Sequence, residues 1–115
     1  MISFIKGLFG SSSFDIEEEE VRELVKTNRK VELIDVRTMP EYKMDHINPC
    51  RNIDLKQKDF VDKVKYLDKD TVYVLYCKTG KRSVKAASKL ESLGFKNVFS
   101  LKGGIDSWEG AKRVK

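Results

Sequence analysis

The sequence contains few cysteines. Only Cys50 and Cys77 occur in 115 residues, and they do not form a Cys-x-x-Cys pair. Small secreted domains rely on several disulfides, so two distant cysteines argue against that class of protein. We therefore expect the chain to work in a reducing compartment, and we predict a cytoplasmic location.

Histidine is scarcer still, because His46 is the only one in the chain. A single imidazole without a neighbouring cysteine or second histidine makes a poor metal site. We accordingly predict no metal and no cofactor, and we interpret His46 as a packed, hydrogen-bonded residue.

Long apolar runs and basic clusters are also absent. The segment from Met1 to Phe9 is too short and too interrupted for a signal peptide or a membrane span, although it is compatible with weak association with a membrane surface. The formal net charge is +5, but no basic and aromatic stripe is present, so nucleic acid is not expected as a partner. A modest positive charge instead favours small anionic ligands.

A chain of 115 residues is long enough for one domain and too short for two ordinary ones. The stretch Gly10-Ser11-Ser12-Ser13 is small and polar, which is typical of a flexible link. We predict a leader over residues 1–13, one folded domain over 14–110 and a basic tail over 111–115. The oligomeric state is left open by the sequence.

Segments with strand preference alternate with segments of helical spacing along the domain. Strands are predicted over 31–36, 52–53, 71–76 and 97–99, and the third of these is the most strongly indicated. This alternation predicts an α/β fold with a mainly parallel central sheet and helices on both faces.

Four helices are predicted between these strands. The first covers 17–27, with Val21, Leu24 and Val25 directed inward and Asn28 at its end. The second is capped by Thr38 and Glu41, the third has one face formed by Phe60, Val64 and Leu67, and the fourth runs from Gly80 to a cap at Gly94.

Cys77 directly follows the strongest strand and precedes a helix. Parallel sheets bind ligands beyond the carboxyl ends of their strands, and backbone N–H groups before a helix form an anion-binding nest. Three nearby cations and the helix N-terminus favour a thiolate, and Ser83 can cap that helix. We interpret Cys77 as a nucleophile and the loop that follows it as the anion-binding element, formed by Lys78, Thr79, Gly80, Lys81, Arg82 and Ser83.

Simpler interpretations exist for several of these residues. Most unpaired cysteines are small buried hydrophobes, but a core cysteine would not require three cations, a glycine and a cap within six residues. Cys50 is interpreted as structural, because a disulfide with Cys77 would need a narrow geometry. A supporting role near the site is open to Asp35 and Arg37, and Arg37 is expected to pair with Glu41 one helical turn away.

The run Cys77-Lys-Thr-Gly-Lys-Arg-Ser83 resembles the active-site loop of rhodanese-type sulfurtransferases. The resemblance extends from about Phe14 to Trp108 through two further sets of residues. The first set is Asp35-Val36-Arg37, Glu41-Tyr42, His46-Ile47 and Asn52-Ile53, and the second is Leu90, Gly94-Phe95, Val98, Leu101, Gly103-Gly104 and Trp108. Asp45, Pro49 and Cys50 depart from the family pattern in a connecting segment.

This resemblance implies a two-step sulfur transfer. The Cys77 thiolate would attack the outer sulfur of thiosulfate or of a persulfide donor and keep that sulfur as a persulfide. Loop amides would hold the persulfide, while Arg82, helped by Lys78 or Lys81, would orient the anionic donor. Cyanide, a small thiol or a protein cysteine would then accept the sulfur.

Two other interpretations are weighed against sulfur transfer. Cysteine phosphatases and arsenate reductases also combine a cysteine and an arginine in one loop, but the spacing here is Cys-x4-Arg, one residue shorter than in phosphatases. The shorter loop favours sulfur. A sulfur-carrier or binding module without catalytic turnover stays open.

Overall fold

The computed structural model describes residues 13–27 and 30–114. Residues 1–12 of the predicted leader, the predicted helix end at Asn28 and the last residue of the predicted tail lie outside these ranges.

A parallel sheet forms the centre of the fold. Its five strands are β1 (Asp15–Ile16), β2 (Val31–Asp35), β4 (Arg51–Asn52), β5 (Val72–Tyr76) and β6 (Asn97–Leu101). They lie in the order β1-β6-β5-β2-β4, and every neighbouring pair is parallel. Two more strands, β3 (Asp45–Ile47) and β7 (Lys112–Val114), form a separate antiparallel pair.

Helices cover both faces of this sheet. They are α1 (Glu18–Lys26), α2 (Met39–Met44), α3 (Phe60–Val64), α4 (Lys81–Ser92) and a 3₁₀ helix over Ile105–Ser107. The predicted α/β architecture is therefore confirmed. Within the described ranges, no helix has both the length and the apolar composition that crossing a membrane would require.

Strand β5 divides the core into two clusters, because successive side chains of a strand point to opposite faces. Tyr73, Leu75 and Cys77 contribute to the cluster beneath α3 and α4. Val74 and Tyr76 contribute to the cluster beneath α1 and the 3₁₀ helix. Every residue of β5 is buried, which explains its continuous run of strand-forming apolar residues.

The strand register brings three chain segments together at one edge of the sheet. Asp35 of β2 lies beside Tyr76 of β5 and beside Asn52 of β4. The Val36 N–H donates to the Tyr76 carbonyl oxygen at 2.9 Å, so the chain leaving β2 runs next to the chain leaving β5. Because these strands are parallel and end side by side, the residues that follow them lie together beyond the carboxyl ends of the strands.

Several local predictions need correction. Val25 was expected to face inward, but it is 58% exposed, and only Val21 and Leu24 of α1 are buried. The first helix ends at Lys26, and α3 ends at Val64, before the half-buried Leu67. Both helices are therefore shorter than their apolar spacing predicts.

Two caps follow the sequence closely. Thr38 and Glu41 form the expected reciprocal capping box of α2. At the end of α4, the N–H groups of Gly94 and Phe95 donate to the carbonyls of Glu91 and Leu90, which is a Schellman motif.

The residues predicted as a basic tail are not a free extension in the described range, since Lys112–Val114 pairs with β3.

The 3₁₀ helix lies directly against the backbone that follows β5. The Ile105 N–H donates to the Cys77 carbonyl at 2.9 Å, and the Asp106 N–H donates to the Lys78 carbonyl at 3.1 Å. Gly104 permits this approach, because its φ is +64° and an added Cβ would overlap the Lys78 carbonyl. Any other residue at position 104 must push the two backbones apart.

We predict that Gly104→Ala lowers the free energy of unfolding by about 3 kcal/mol, because it combines a positive φ with a backbone clash. Gly94→Ala is the matched control. Its φ is +98°, but its Cβ would meet only the aliphatic part of Lys69 at 3.7 Å. That variant is expected to lose about 1 kcal/mol. Urea unfolding measures both, and equal losses would contradict the proposed role of the close approach.

Candidate active site

Cys77 lies at the carboxyl end of β5 and is almost completely enclosed. Its residue exposure is 1%. The sulfur accepts the backbone N–H of Gly80 at 3.1 Å and that of Ser83 at 3.4 Å. Two amide donors directed at one sulfur stabilise negative charge there.

The loop obtains this geometry from the start of α4. Gly80 is the N-cap and has a φ of +111°, so its N–H turns back towards the sulfur. The prediction that Ser83 caps the helix is wrong. The N-cap position is occupied by Gly80, which has no side chain to accept a hydrogen bond, and Ser83 is already the third residue of α4. The buried Ser83 hydroxyl instead donates to the Gly80 carbonyl at 3.1 Å and lies 2.7 Å from the Ser100 hydroxyl. It therefore fixes the turn that positions the two amides.

Arg82 is the loop cation with the strongest partner. Its guanidinium donates to both carboxylate oxygens of Glu41, at 2.8 and 3.1 Å. These hydrogen bonds lower the pKa of Glu41 from 4.5 to about 2 and raise the pKa of Arg82. The charge of Arg82 beside the site is thus partly neutralised by Glu41 and is not that of an isolated cation.

The other two cations of the loop are lysines, and they differ in whether a carboxylate lies beside them. Lys78 Nζ lies 3.2 Å from the carboxylate of Asp106 on the 3₁₀ helix. Lys81 has no carboxylate partner in the part of the chain that the structure describes. Both lysines are exposed.

Arg37 does not pair with Glu41, so that prediction is wrong. Arg37 instead donates from Nε and Nη2 to the carboxylate of Asp35, and from Nη2 to the Asp45 carbonyl at 2.6 Å. Burial alone would lower the pKa of Arg37, but the hydrogen bonds and charge of Asp35 raise it above its ordinary value. Both side chains are buried, so losing one partner would cost about 3–5 kcal/mol.

The buried pair of Asp35 and Arg37 supports the site indirectly, through the backbone that leads to α2. It fixes the turn between β2 and α2, and α2 carries Glu41 towards the loop. Asn52 adds to the same turn by donating to the carbonyls of Asp35 and Arg37 at 2.9 and 3.0 Å. Glu41 was not predicted as a partner of the loop, although β2 and β5 are parallel and end side by side, which brings the segment after β2 close to the loop after β5.

Cys50 and His46 lie away from the loop. Cys50 packs against the opposite cluster, where its sulfur is 3.3 Å from the Tyr76 hydroxyl. Burial raises the pKa of Cys50 to about 11, although the hydrogen bond with Tyr76 opposes this shift. His46 Nδ1 lies 2.9 Å from the Tyr42 carbonyl, and the two rings stack with centroids 4.0 Å apart.

The structure therefore separates the two thiols by the sheet, and both are free. Among residues 13–27 and 30–114, no cluster of three or more His, Cys, Asp or Glu side chains is arranged to hold a metal ion. Trp108 packs against the cluster that includes Cys50.

The fold and the loop together define a class of protein: a parallel α/β domain in which a cysteine follows a central strand and lies under a helix N-terminus. A family model described as a rhodanese-like domain matches residues 17–111. The chain belongs to this rhodanese-like sulfurtransferase family.

Curated relatives agree with this assignment. The thiosulfate sulfurtransferase GlpE of Coxiella burnetii is 34% identical over 95 residues, which cover 82% of this chain and 85% of GlpE. YtwF of Bacillus subtilis is 32% identical over 88% of this chain and 95% of its own length. The protein named "Probable adenylyltransferase/sulfurtransferase MoeZ" of Mycobacterium tuberculosis is 36% identical over 81% of this chain, which spans only 24% of MoeZ.

Solved structures share the fold. A rhodanese-related protein from Thermoplasma volcanium is 28% identical and has a TM-score of 0.75, with coverage of 88% of this chain and 98% of that one. A rhodanese-like domain protein from Staphylococcus aureus is 25% identical, with the same TM-score and coverage of 88% and 97%.

The Glu41 and Arg82 pair generates a prediction about pH. A carboxylate whose folded pKa is depressed stabilises the protein above its unfolded pKa and loses that contribution as the pH falls towards the folded value. Glu41→Gln should therefore be less stable than the parent by about 1 kcal/mol at pH 7, because the pair is partly exposed. The difference should shrink between pH 4.5 and about 2.

Urea unfolding of parent and variant across this pH range measures that difference. Glutamine retains the oxygen that caps α2, so the comparison isolates the charge. Glu32→Gln is a suitable control, because it removes one carboxylate from an ion pair with Arg51 that lies away from the loop. A stability difference for Glu41→Gln that does not change with pH would contradict the prediction.

Proposed function

We propose that this protein is a sulfurtransferase that moves a sulfane sulfur from thiosulfate or a persulfide donor to a nucleophilic acceptor through a persulfide on Cys77. One observation carries the proposal: the N–H groups of Gly80 and Ser83 both donate to the sulfur of Cys77. These donors stabilise a thiolate before the reaction and a persulfide anion after it.

The first half-reaction transfers one sulfur atom. The Cys77 thiolate attacks the outer sulfur of the donor, a new S–S bond forms to Cys77, and the S–S bond within the donor breaks. Its electron pair leaves on sulfite when the donor is thiosulfate, or on a thiolate when the donor is a persulfide. No external oxidant or reductant is needed, because the sulfur already has the required oxidation state.

The second half-reaction restores the thiolate. A nucleophile such as cyanide, a small thiol or a protein cysteine attacks the outer sulfur of the Cys77 persulfide, and the electron pair of the S–S bond returns to Cys77. In this proposal, the loop residues bind the anionic donor and the persulfide, and they are Lys78, Thr79, Gly80, Lys81, Arg82 and Ser83. Both cysteines are free thiols, which is consistent with the cytoplasm as the proposed location.

A second candidate is a sulfur carrier with little turnover on free donors. The 1% exposure of Cys77 favours it only on the condition that a docked partner opens the loop, because free donors and acceptors meet a sulfur that is nearly enclosed. A carrier would still form the Cys77 persulfide, but it would pass the sulfur on only to a docked protein. Adduct formation and turnover therefore have to be measured separately.

We predict that exposure to thiosulfate or a persulfide donor adds a single sulfur to the parent protein, and that cyanide removes it as thiocyanate. Cys77→Ser should form no adduct and should lose at least about a thousandfold of the turnover, because it lacks the nucleophile. Cys50→Ser is the matched control and should keep the adduct, since Cys50 lies on the other face of the sheet.

Intact-mass spectrometry and thiocyanate release measure these results. An adduct without turnover would favour the carrier. An adduct of equal mass on Cys77→Ser, or no adduct on the parent with either donor, would overturn the proposed function.

A further inference from the structure

The loop around Cys77 is less positive than its sequence suggests. Three cations lie between Lys78 and Arg82, but two of them are engaged by carboxylates from other elements. Glu41 of α2 binds Arg82, and Asp106 of the 3₁₀ helix binds Lys78. Lys81 is the one loop cation without a carboxylate partner in the described residues.

From this arrangement we propose that Glu41, supported by Asp106, sets the donor selectivity of the site by opposing doubly charged donors and favouring singly charged persulfides. The inference rests on the proposed function, since it concerns the donor of the same Cys77 chemistry. Glu41 acts through Arg82 and is a positioning residue rather than a catalytic one.

The position of Glu41 is fixed by several contacts. Its Oε1 accepts the backbone N–H of Thr38 at 3.0 Å and the Thr38 hydroxyl at 3.1 Å, while both carboxylate oxygens bind Arg82. The turn before α2 is itself held by the buried Asp35 and Arg37 pair. Arg82 must therefore give up two hydrogen bonds to a fixed carboxylate before it can turn fully towards an incoming anion.

Asp106 is held in a similar manner but more loosely. Its backbone N–H donates to the Lys78 carbonyl at 3.1 Å, and its carboxylate lies 3.2 Å from Lys78 Nζ. The side chains of Lys78 and Asp106 are 60% and 49% exposed, against 25% and 31% for Arg82 and Glu41. Solvent screens the more exposed pair, so Glu41 is expected to have the larger effect.

The two donor classes differ in the charge that they bring to this loop. Thiosulfate carries two negative charges and releases sulfite, which also carries two. An alkyl persulfide anion carries one and releases a thiolate with one. Two extra carboxylates near the loop raise the electrostatic cost of a second donor charge, because like charges in close proximity oppose association.

The test measures the second-order rate constant for loading sulfur onto Cys77, using intact mass as the readout. One probe is thiosulfate, and the other is hydroxyethyl persulfide, whose only charge lies on sulfur. Glu41→Gln should raise the constant for thiosulfate about tenfold and that for hydroxyethyl persulfide only about threefold, because the repulsion from the carboxylate is proportional to the charge of the donor. Asp106→Asn should shift the same ratio in the same direction by a smaller factor.

Glu32→Gln is the matched control for net charge. It removes one carboxylate from an ion pair with Arg51, and Glu32 lies beside Tyr73, near the amino end of β5. Tyr73 lies four residues before Cys77, which corresponds to about 13 Å along a strand. This variant should leave both constants unchanged.

The results separate the two hypotheses. A parent protein that loads no sulfur from either probe would overturn the proposed function itself. Normal loading with a donor ratio that Glu41→Gln and Asp106→Asn leave unchanged, or that Glu32→Gln shifts equally, would overturn the inference about selectivity alone. Because Asp106→Asn does not touch the α2 cap, it keeps the test decisive if Glu41→Gln folds poorly.

Discussion

The turn at Gly80 is the constraint on which the site depends, since it directs two backbone N–H groups at the sulfur of Cys77. A free sulfur in water would be solvated by mobile dipoles, whereas these donors are fixed before any reaction begins. Their position follows from strand β5 ending directly before the buried Cys77 and helix α4 starting four residues after Cys77. The fold thus supplies the electrostatic environment mainly with backbone atoms, which substitutions of side chains alter only indirectly.

Charge is arranged around this backbone cradle in two layers. The inner layer is the buried pair of Asp35 and Arg37, which holds the turn behind the site and faces little solvent. The outer layer is the pair of Glu41 and Arg82, which is partly exposed and lies beside the loop. Burial makes the inner pair costly to break, while partial exposure leaves the outer pair responsive to charge brought by a ligand.

The sequence was sufficient to predict four of the five strands of the central sheet and the capping of α2, because each depends on local preference and periodicity. It missed β1 and the antiparallel pair of β3 and β7, which are only two or three residues long. It also indicated Cys77 as the residue that follows β5. It could not predict that Arg37 would bind Asp35 and Asp45, since helical spacing offered Glu41 as an equally near partner. The Glu41 and Arg82 contact spans 41 positions in sequence and arises only from the strand order, in which β2 lies next to β5.

Errors at helix boundaries have a similar cause. Apolar spacing predicted an inward Val25, but the cluster beneath α1 is already filled by residues from β5, β6 and the 3₁₀ helix, and Val25 remains at the surface. Ser83 has the chemistry of a cap, yet the position of the first helical turn depends on Gly80, whose positive φ the sequence alone did not fix.

The separation of the two thiols by the central sheet has a consequence for oxidative damage. If peroxide oxidises Cys77 to a sulfenic acid, Cys50 lies behind the sheet and cannot condense with it to form a protective disulfide. Recovery then depends on small thiols that enter from solution, and further oxidation to the sulfinic acid is permanent by ordinary chemistry.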